Sequence, residues 1–191
     1  MVVSWWRVFL WGVVVVGVDD RVLADAARAG DVEAFAVLVR RHQAAVYRVA
    51  LRILGSTSDA EDAVQEAFVQ AWRGLARFRG ESAVSTWLYR IVTNRCLNVL
   101  AARRPTEPLD FEVPAADGDP ALIAEHHERF AAVARVVGAL PAEQRAALVL
   151  RDFEGLSYDE VGEVLGVSLA AVKGRIHRAR LMVLKEASAW R

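Results

Sequence analysis

Residues 157–180 read SYDEVGEVLGVSLAAVKGRIHRAR, and their punctuation decides the fold. Ser157 and Glu160 have capping-box spacing, so a helix starts there, and Leu165-Gly166 stops it. Ser168 caps a second helix that runs to about Ala187. Val161 and Leu165 give the first helix an apolar face. Gly166 can take the left-handed conformation of a tight turn, and Val167 plugs the angle between the helices. Val172, Ile176 and Ala179 lie on one face of the second helix and pack back on the first. This is the spacing of a helix-turn-helix. The opposite face presents Ala170, Lys173, Gly174, His177 and Arg178. Small residues permit close approach to a major groove, while Lys and Arg reach guanine acceptors or phosphates. A helical hairpin with a solvated basic face is the alternative these residues leave open.

Working outward, the pattern stays helical. One helix is expected from about Ala121 to Gly138, and Leu140-Pro141 opens the next, with Pro at the first helical position and Gly155 at its end. Before that, Pro105 and Pro108 stop a helix capped by Ser82, and the Pro-, Asp- and Ala-rich stretch to Pro120 is a linker. Phe78 to Ser82 form a loop. Further upstream, Ser58 with Glu61 caps a helix whose face Ala60, Val64, Ala67, Phe68 and Ala71 is buried, leaving Asp62, Gln65, Glu66 and Gln70 outside. Phe35, Leu38, Val39, Val46, Val49, Ala50 and Ile53 form the apolar stripe of the helix that Gly55 ends. The expected fold class is all-α: two small helical domains, 19–104 and 121–191, joined by a flexible linker, 105–120, after an apolar tail, 1–18.

The 191 residues hold 24 Lys and Arg against 24 Asp and Glu, a formal net charge of zero. Uniformly spread, that balance would argue against a phosphate-binding surface. It is not uniform. Residues 1–104 carry fourteen basic and ten acidic groups, 105–120 five acids and no Lys or Arg, and 121–191 ten basic and nine acidic groups. Lys173, Arg175, Arg178, Arg180 and Lys185 fall within 168–185 without one acid. The composition excludes a disordered chain, and one cysteine excludes a disulfide scaffold or multi-Cys zinc site.

No catalytic constellation is visible. His126-His127 point about 100° apart on a helix and cannot share a metal. Cys96 is expected in the core. Asp59, Glu61, Asp62 and Glu66 lack a companion base and make a solvated acidic face or a protein contact. No metal and no cofactor is expected. The 77–95 stretch interleaves Phe78, Trp87 and Tyr89 with Arg77, Arg79, Arg90 and Arg95, plus Asn94, with Asn98 just beyond. Aromatics beside cations suit single-stranded DNA, by stacking and charge. The same residues, Trp87 above all, also suit a core.

Two runs, DAEDAVQEAFVQAW (59–72) and FRGESAVSTWLYRIVTNRCLN (78–98), together resemble region 2 of bacterial sigma factors. LPAEQRAALVLRDFEGLSYDEVGEVLGVSLAAVKGRIHRAR (140–180) resembles their region 4. With only a short linker between, the chain is similar to the small extracytoplasmic-function (ECF) subfamily of the sigma-70 family, over about residues 19–187. The resemblance implies a promoter-specificity subunit of RNA polymerase that is not itself an enzyme. It implies that Asp62, Gln65 and Glu66 dock on the clamp helices of the largest core subunit, with the second domain on the flap of the second largest. It implies that Arg79, Ser82, Trp87, Arg90, Asn94 and Asn98 meet the −10 element, capturing a flipped base in the 78–83 loop. Ser168, Lys173, Gly174, Arg175, His177 and Arg178 would meet the −35 element, Arg175 and Arg180 as phosphate contacts or packing. The acidic linker would thread toward the active-site channel. A separate anti-sigma factor and a cytoplasmic location are further expectations.

The tail stands apart. Val8 to Val18 is an uncharged apolar run of eleven, too short for a span of about 20 residues. The preferred reading is a start assigned too far upstream, with the natural chain beginning near Val18; no stable membrane insertion is expected. Two rivals remain: a free-standing helix-turn-helix regulator acting as a dimer, and a signalling protein tethered by residues 1–18.

Overall fold

Asp19 caps the first helix: its carboxylate accepts the Arg21 N–H at 2.7 Å. The computed structural model describes residues 17–103 and 135–188, and every regular element among them is helical. In order these are α1 (Asp20–Arg28), α2 (Val32–Leu54), α3 (Thr57–Gly74), a short 3₁₀ turn (Leu75–Arg77) and α4 (Val84–Ala102). After the gap come α5 (Ala142–Leu148), a π-helical turn (Val149–Phe153), α6 (Tyr158–Leu165) and α7 (Leu169–Ser188). The expectations for residues 1–16, for the linker and for His126-His127 lie outside the described residues.

The first domain is a bundle in which α2, α3 and α4 pack on one another and α1 lies against α2. Leu38, Val46, Val49, Ala50 and Ile53 from the α2 stripe are buried, while Phe35 and Val39 sit at its margin. On α3 the alanines 60, 63, 67 and 71 carry the contact, and Val64 and Phe68 flank it half-buried. Small side chains at that seam bring α3 close to its neighbours. Cys96 is buried on α4, and desolvation pushes its thiol up to about 12. Alkylation by iodoacetamide at pH 8 is expected to run at least about 100-fold slower in the native chain than in urea, read by mass spectrometry. The sign for stability follows. Above about pH 8.5 the unfolded chain loses this proton while the native chain keeps it, so the thiol's contribution falls as pH rises.

The second domain follows the expected punctuation. Ser157 and Glu160 form the capping box, at 3.2 Å and 2.7 Å. Gly166 has φ 64°, left-handed, and ends α6. Ser168 Oγ accepts the Ala171 N–H at 3.3 Å. Val172, Ile176 and Ala179 are buried against α6 and α5.

Four local expectations are corrected. Ser56, not Ser58, caps α3. The left-handed Gly55 (φ 73°) leaves the next residue extended, with its hydroxyl 3.3 Å from the Asp59 N–H. Ser82 does not cap α4, which starts two residues later behind an extended Ala83 with no side-chain cap. Pro141 is an N-cap rather than a first helical residue, because its carbonyl accepts from the N–H groups of Gln144 and Arg145, each at 2.9 Å. On α6, Val164 takes the core place expected of Leu165, which lies at the rim of the last turn.

The two domains also share a core, which the sequence does not announce. α4 packs on α6, and α2 and α4 both touch α5. At that junction Arg145, only 3% exposed, donates to the carbonyls of Ile53 (2.5 Å), Gly138 (2.6 Å) and Leu140 (2.9 Å).

Candidate nucleic-acid interface

The helix-turn-helix is tightened by Gly162, which the sequence reading overlooked. A Cβ there would stand 3.1 Å from the Val167 carbonyl oxygen, so a larger residue would wedge the turn open. The seating of α7 on α6 leaves Ala170, Lys173, His177 and Arg178 exposed along one face. Gly174 lies between them, and a Cβ added there would meet the Arg178 guanidinium at 3.3 Å. Ser168 stands at the near end, its hydroxyl spent on the helix cap. Arg175 is turned away, ion-paired with Glu143 of α5. Arg180 is bound to Asp152 at 2.5 Å and 2.9 Å. Of the sequence's cationic run, Lys173 and Arg178 therefore front the face, while Arg175 and Arg180 fasten the helix to its domain.

In the first domain, Phe78 and Trp87 stack with ring centroids 4.7 Å apart, fixing the loop against the first turn of α4. Gly80 (φ 69°) turns that loop. A cleft of about 360 Å³ opens here, lined by Arg77, Phe78, Arg79, Ser82, Trp87 and Arg90, with Glu81 and Glu163 also at its walls. Ser82, freed from capping, contributes a hydroxyl to it. Trp87 belongs both to the core margin and to the cleft. Arg90, Asn94 and Asn98 are exposed at four-residue spacing, a polar strip leading from the cleft along α4. Three guanidinium groups beside stacked rings can hold a phosphate backbone and the face of a base.

The exposed side of α3 carries Asp62, Gln65 and Glu66. Glu66 is tied to Arg95 of α4, with Nη2 to Oε1 at 3.0 Å. The same face continues through two apolar residues that the sequence reading missed, Val69 (43% exposed) and Trp72 (41%), the latter against Phe35 at 5.0 Å. Their helical spacing from Asp62 and Glu66 was the available signal.

The sequence reading also missed Glu154 and Glu163. Glu154, with its side chain 5% exposed, is paired with Arg52 at 2.7 Å and Arg48 at 3.4 Å, and accepts the Tyr89 hydroxyl at 3.5 Å. Burial first, and Glu154 second, push the Tyr89 hydroxyl up; burial lowers Arg52. Among the described residues no group of His, Cys, Asp and Glu could hold a metal ion, and no helix is long and apolar enough to cross a membrane.

Comparison with known proteins bears on the whole arrangement. The Sigma-70 region 2 family matches residues 38–106, and the Sigma-70, region 4 family matches residues 130–183. The chain is 40% identical over 175 residues to the RNA polymerase sigma-H factor of Pseudomonas aeruginosa, covering 85% of this chain and 90% of that protein. It is 42% identical over 164 residues to the ECF RNA polymerase sigma factor SigM of Mycobacterium tuberculosis, covering 85% and 81%. Among solved structures, CnrH in complex with the cytosolic domain of CnrY aligns with a TM-score of 0.70 at 32% identity, covering 89% of this chain and 97% of that one. The chain therefore belongs to the sigma-70 family, as a member of its extracytoplasmic-function (ECF) subfamily.

Proposed function

We propose that this sigma factor binds core RNA polymerase and directs promoter-specific initiation by reading a −35 element with α7 and capturing −10 single strand at the cleft before α4. The observation that carries this reading is the pairing of two different nucleic-acid surfaces in one chain. One is a helix face of small residues and cations shaped for a duplex groove; the other is an arginine-lined cleft with stacked aromatics suited to an unstacked base. Arg79, Ser82, Trp87 and Arg90 would hold the flipped base and its phosphates, with Asn94 and Asn98 along the strand just upstream. Lys173, Gly174, His177 and Arg178 would enter the groove. Arg175, already paired with Glu143, acts as packing, and Ser168 offers its helix end rather than its hydroxyl.

Core docking falls to Asp62, Gln65 and Glu66 against the clamp helices of the largest subunit, flanked by Val69 and Trp72 as apolar anchors. The flap of the second largest subunit takes the second domain. Nucleotide addition belongs to the core, so the chain contributes recognition rather than catalysis. CnrH, held by the cytosolic domain of CnrY, supports control of this chain by a protein partner of anti-sigma type, in the cytoplasm.

Two measurements test this against a free-standing dimeric regulator. Fluorescence anisotropy is expected to give tight binding of the labelled chain to core polymerase and weak binding to duplex DNA alone. Tight, palindrome-specific duplex binding without polymerase would overturn it. With holoenzyme, Arg178→Ala is expected to weaken discrimination at one −35 base pair by about 1–3 kcal/mol, read by competition with single-base promoter variants.

A further inference from the structure

The loop that shapes the −10 cleft is held from outside by α1, which contributes none of the cleft's walls. α1 is firmly seated. Leu23, Ala24 and Ala27 are buried, and one Asp20 oxygen pairs with Arg41 of α2 at 2.8 Å while the other lies 2.7 Å from His42 Nε2. Arg41 also donates to the Val18 carbonyl at 2.6 Å, just ahead of the helix. From that base α1 packs on the 3₁₀ turn Leu75–Arg77 and on α4, the two elements that flank the loop. Two of its arginines then reach the loop backbone. Arg28 donates through Nη1 to the Phe78 carbonyl at 3.4 Å, and Asp25, one turn earlier, holds its Nη2 at 2.9 Å. Asp25 thus aims the guanidinium. Arg21 stands two turns before Arg28 on the same face. A Cβ on Gly80 would stand 3.1 Å from Arg21 Nε and 3.2 Å from its Cζ and Nη2, so the guanidinium covers the turn where φ is 69°. On either side of that glycine, Arg79, Glu81 and Ser82 line the cleft.

We infer that α1 is the brace that sets base selectivity at the cleft: Arg21 and Arg28 are positioning residues that hold the 78–82 backbone in the shape in which Arg79 and Ser82 read a captured base of single-stranded DNA. The inference rests on the sigma reading above and deepens it. A loop owes its shape to what it is tied to, and a recognition group displaced by on the order of 0.5 Å loses its productive geometry. Strand phosphates are less exacting, because charge acts over longer distances than a hydrogen bond. Loss of the brace therefore removes the choice of base and leaves the strand affinity that Arg77, Arg79 and Arg90 supply.

The test uses holoenzyme assembled from core polymerase and the full chain, with core alone as background. Anisotropy of fluorescein-labelled (dT)12 reads strand affinity, and sequencing the bound fraction of a pool of randomised dodecamers reads base preference. The parent is expected to enrich one base at one position by at least about ten-fold. Arg21→Met and Arg28→Met, both at exposed positions, should each cut that enrichment by at least about five-fold, with (dT)12 affinity within about two-fold of the parent's. Arg28→Lys should recover most of the preference, since one ammonium can still serve the one Phe78 carbonyl. Hydrogen exchange at the amides of 79–82 should quicken in Arg28→Met and not in Arg28→Lys, at an unchanged melting temperature. Enrichment equal to the parent's in both methionine variants overturns the brace. So does (dT)12 affinity that falls in step with enrichment, which would make the two arginines direct phosphate ligands. In both cases a parent that still selects a base leaves the sigma reading standing; a parent holoenzyme that selects none overturns base capture itself, and the brace with it.

Discussion

Asp62→Lys/Glu66→Lys is expected to lower the affinity of the chain for core RNA polymerase by at least about 100-fold, with helicity and melting temperature near the parent's. The size follows from geometry. Both carboxylates lie on the exposed face of α3, one turn apart, beside the exposed Val69 and Trp72. Reversal replaces two attractive contacts with two repulsive ones in the middle of the proposed docking surface. The fold has little at stake. Asp62 contributes nothing to the core, and the exposed Glu66–Arg95 pair is worth at most about 1 kcal/mol. Titration of labelled core with each protein checks it, and equal affinities would remove α3 from the docking surface.

The largest effect on stability is expected at Arg145. Arg145→Met should destabilise the chain by about 3–5 kcal/mol, seen as a lower denaturant midpoint. The Ile53 carbonyl is one of the last-turn acceptors of α2 that has no partner within its own helix, and the guanidinium supplies one. Gly138 and Leu140 accept from the same side chain. Methionine keeps the stem and leaves three acceptors without this donor, each costing about 1–3 kcal/mol when buried, less whatever relaxation recovers. Arg145→Lys should recover only part of the loss, since one ammonium cannot span three carbonyls as the guanidinium fork does. A loss below about 1 kcal/mol in Arg145→Met would show that these acceptors find other partners.

Arg145 and Glu154 also mark where sequence reading stops. Elements signalled by local chemistry were legible: the Ser157–Glu160 box, the left-handed Gly166, and the spacing of Val172, Ile176 and Ala179 are properties of a few adjacent residues. So was the exposure of Asp62, Gln65, Glu66, Lys173, His177 and Arg178, since each is set by the phase of one helix. A buried charge is different. Arg145 stands 92 residues from the carbonyl it caps and Glu154 lies 102 residues from Arg52, so nothing in their neighbourhoods distinguishes them from solvated charges. The same limit hid the fate of Arg175 and Arg180, whose partners Glu143 and Asp152 sit on earlier helical turns. Where two local signals competed, as Ser56 against Ser58, the left-handed Gly55 beside Ser56 decided, and glycine's influence on its neighbour was the signal to weigh.

The zero net charge, which first argues against DNA, conceals a chain whose two exposed basic surfaces sit on different domains. On the proposed function, those surfaces would serve transcription only when both are engaged on one promoter by one polymerase. Run-off transcription with purified core polymerase on promoter fragments, with and without the chain, measures that directly. The account predicts discrete transcripts that appear only with the chain, that weaken with Arg178→Ala, and that vanish with Asp62→Lys/Glu66→Lys. Core polymerase that gains no promoter-specific start from the chain on any fragment would contradict it.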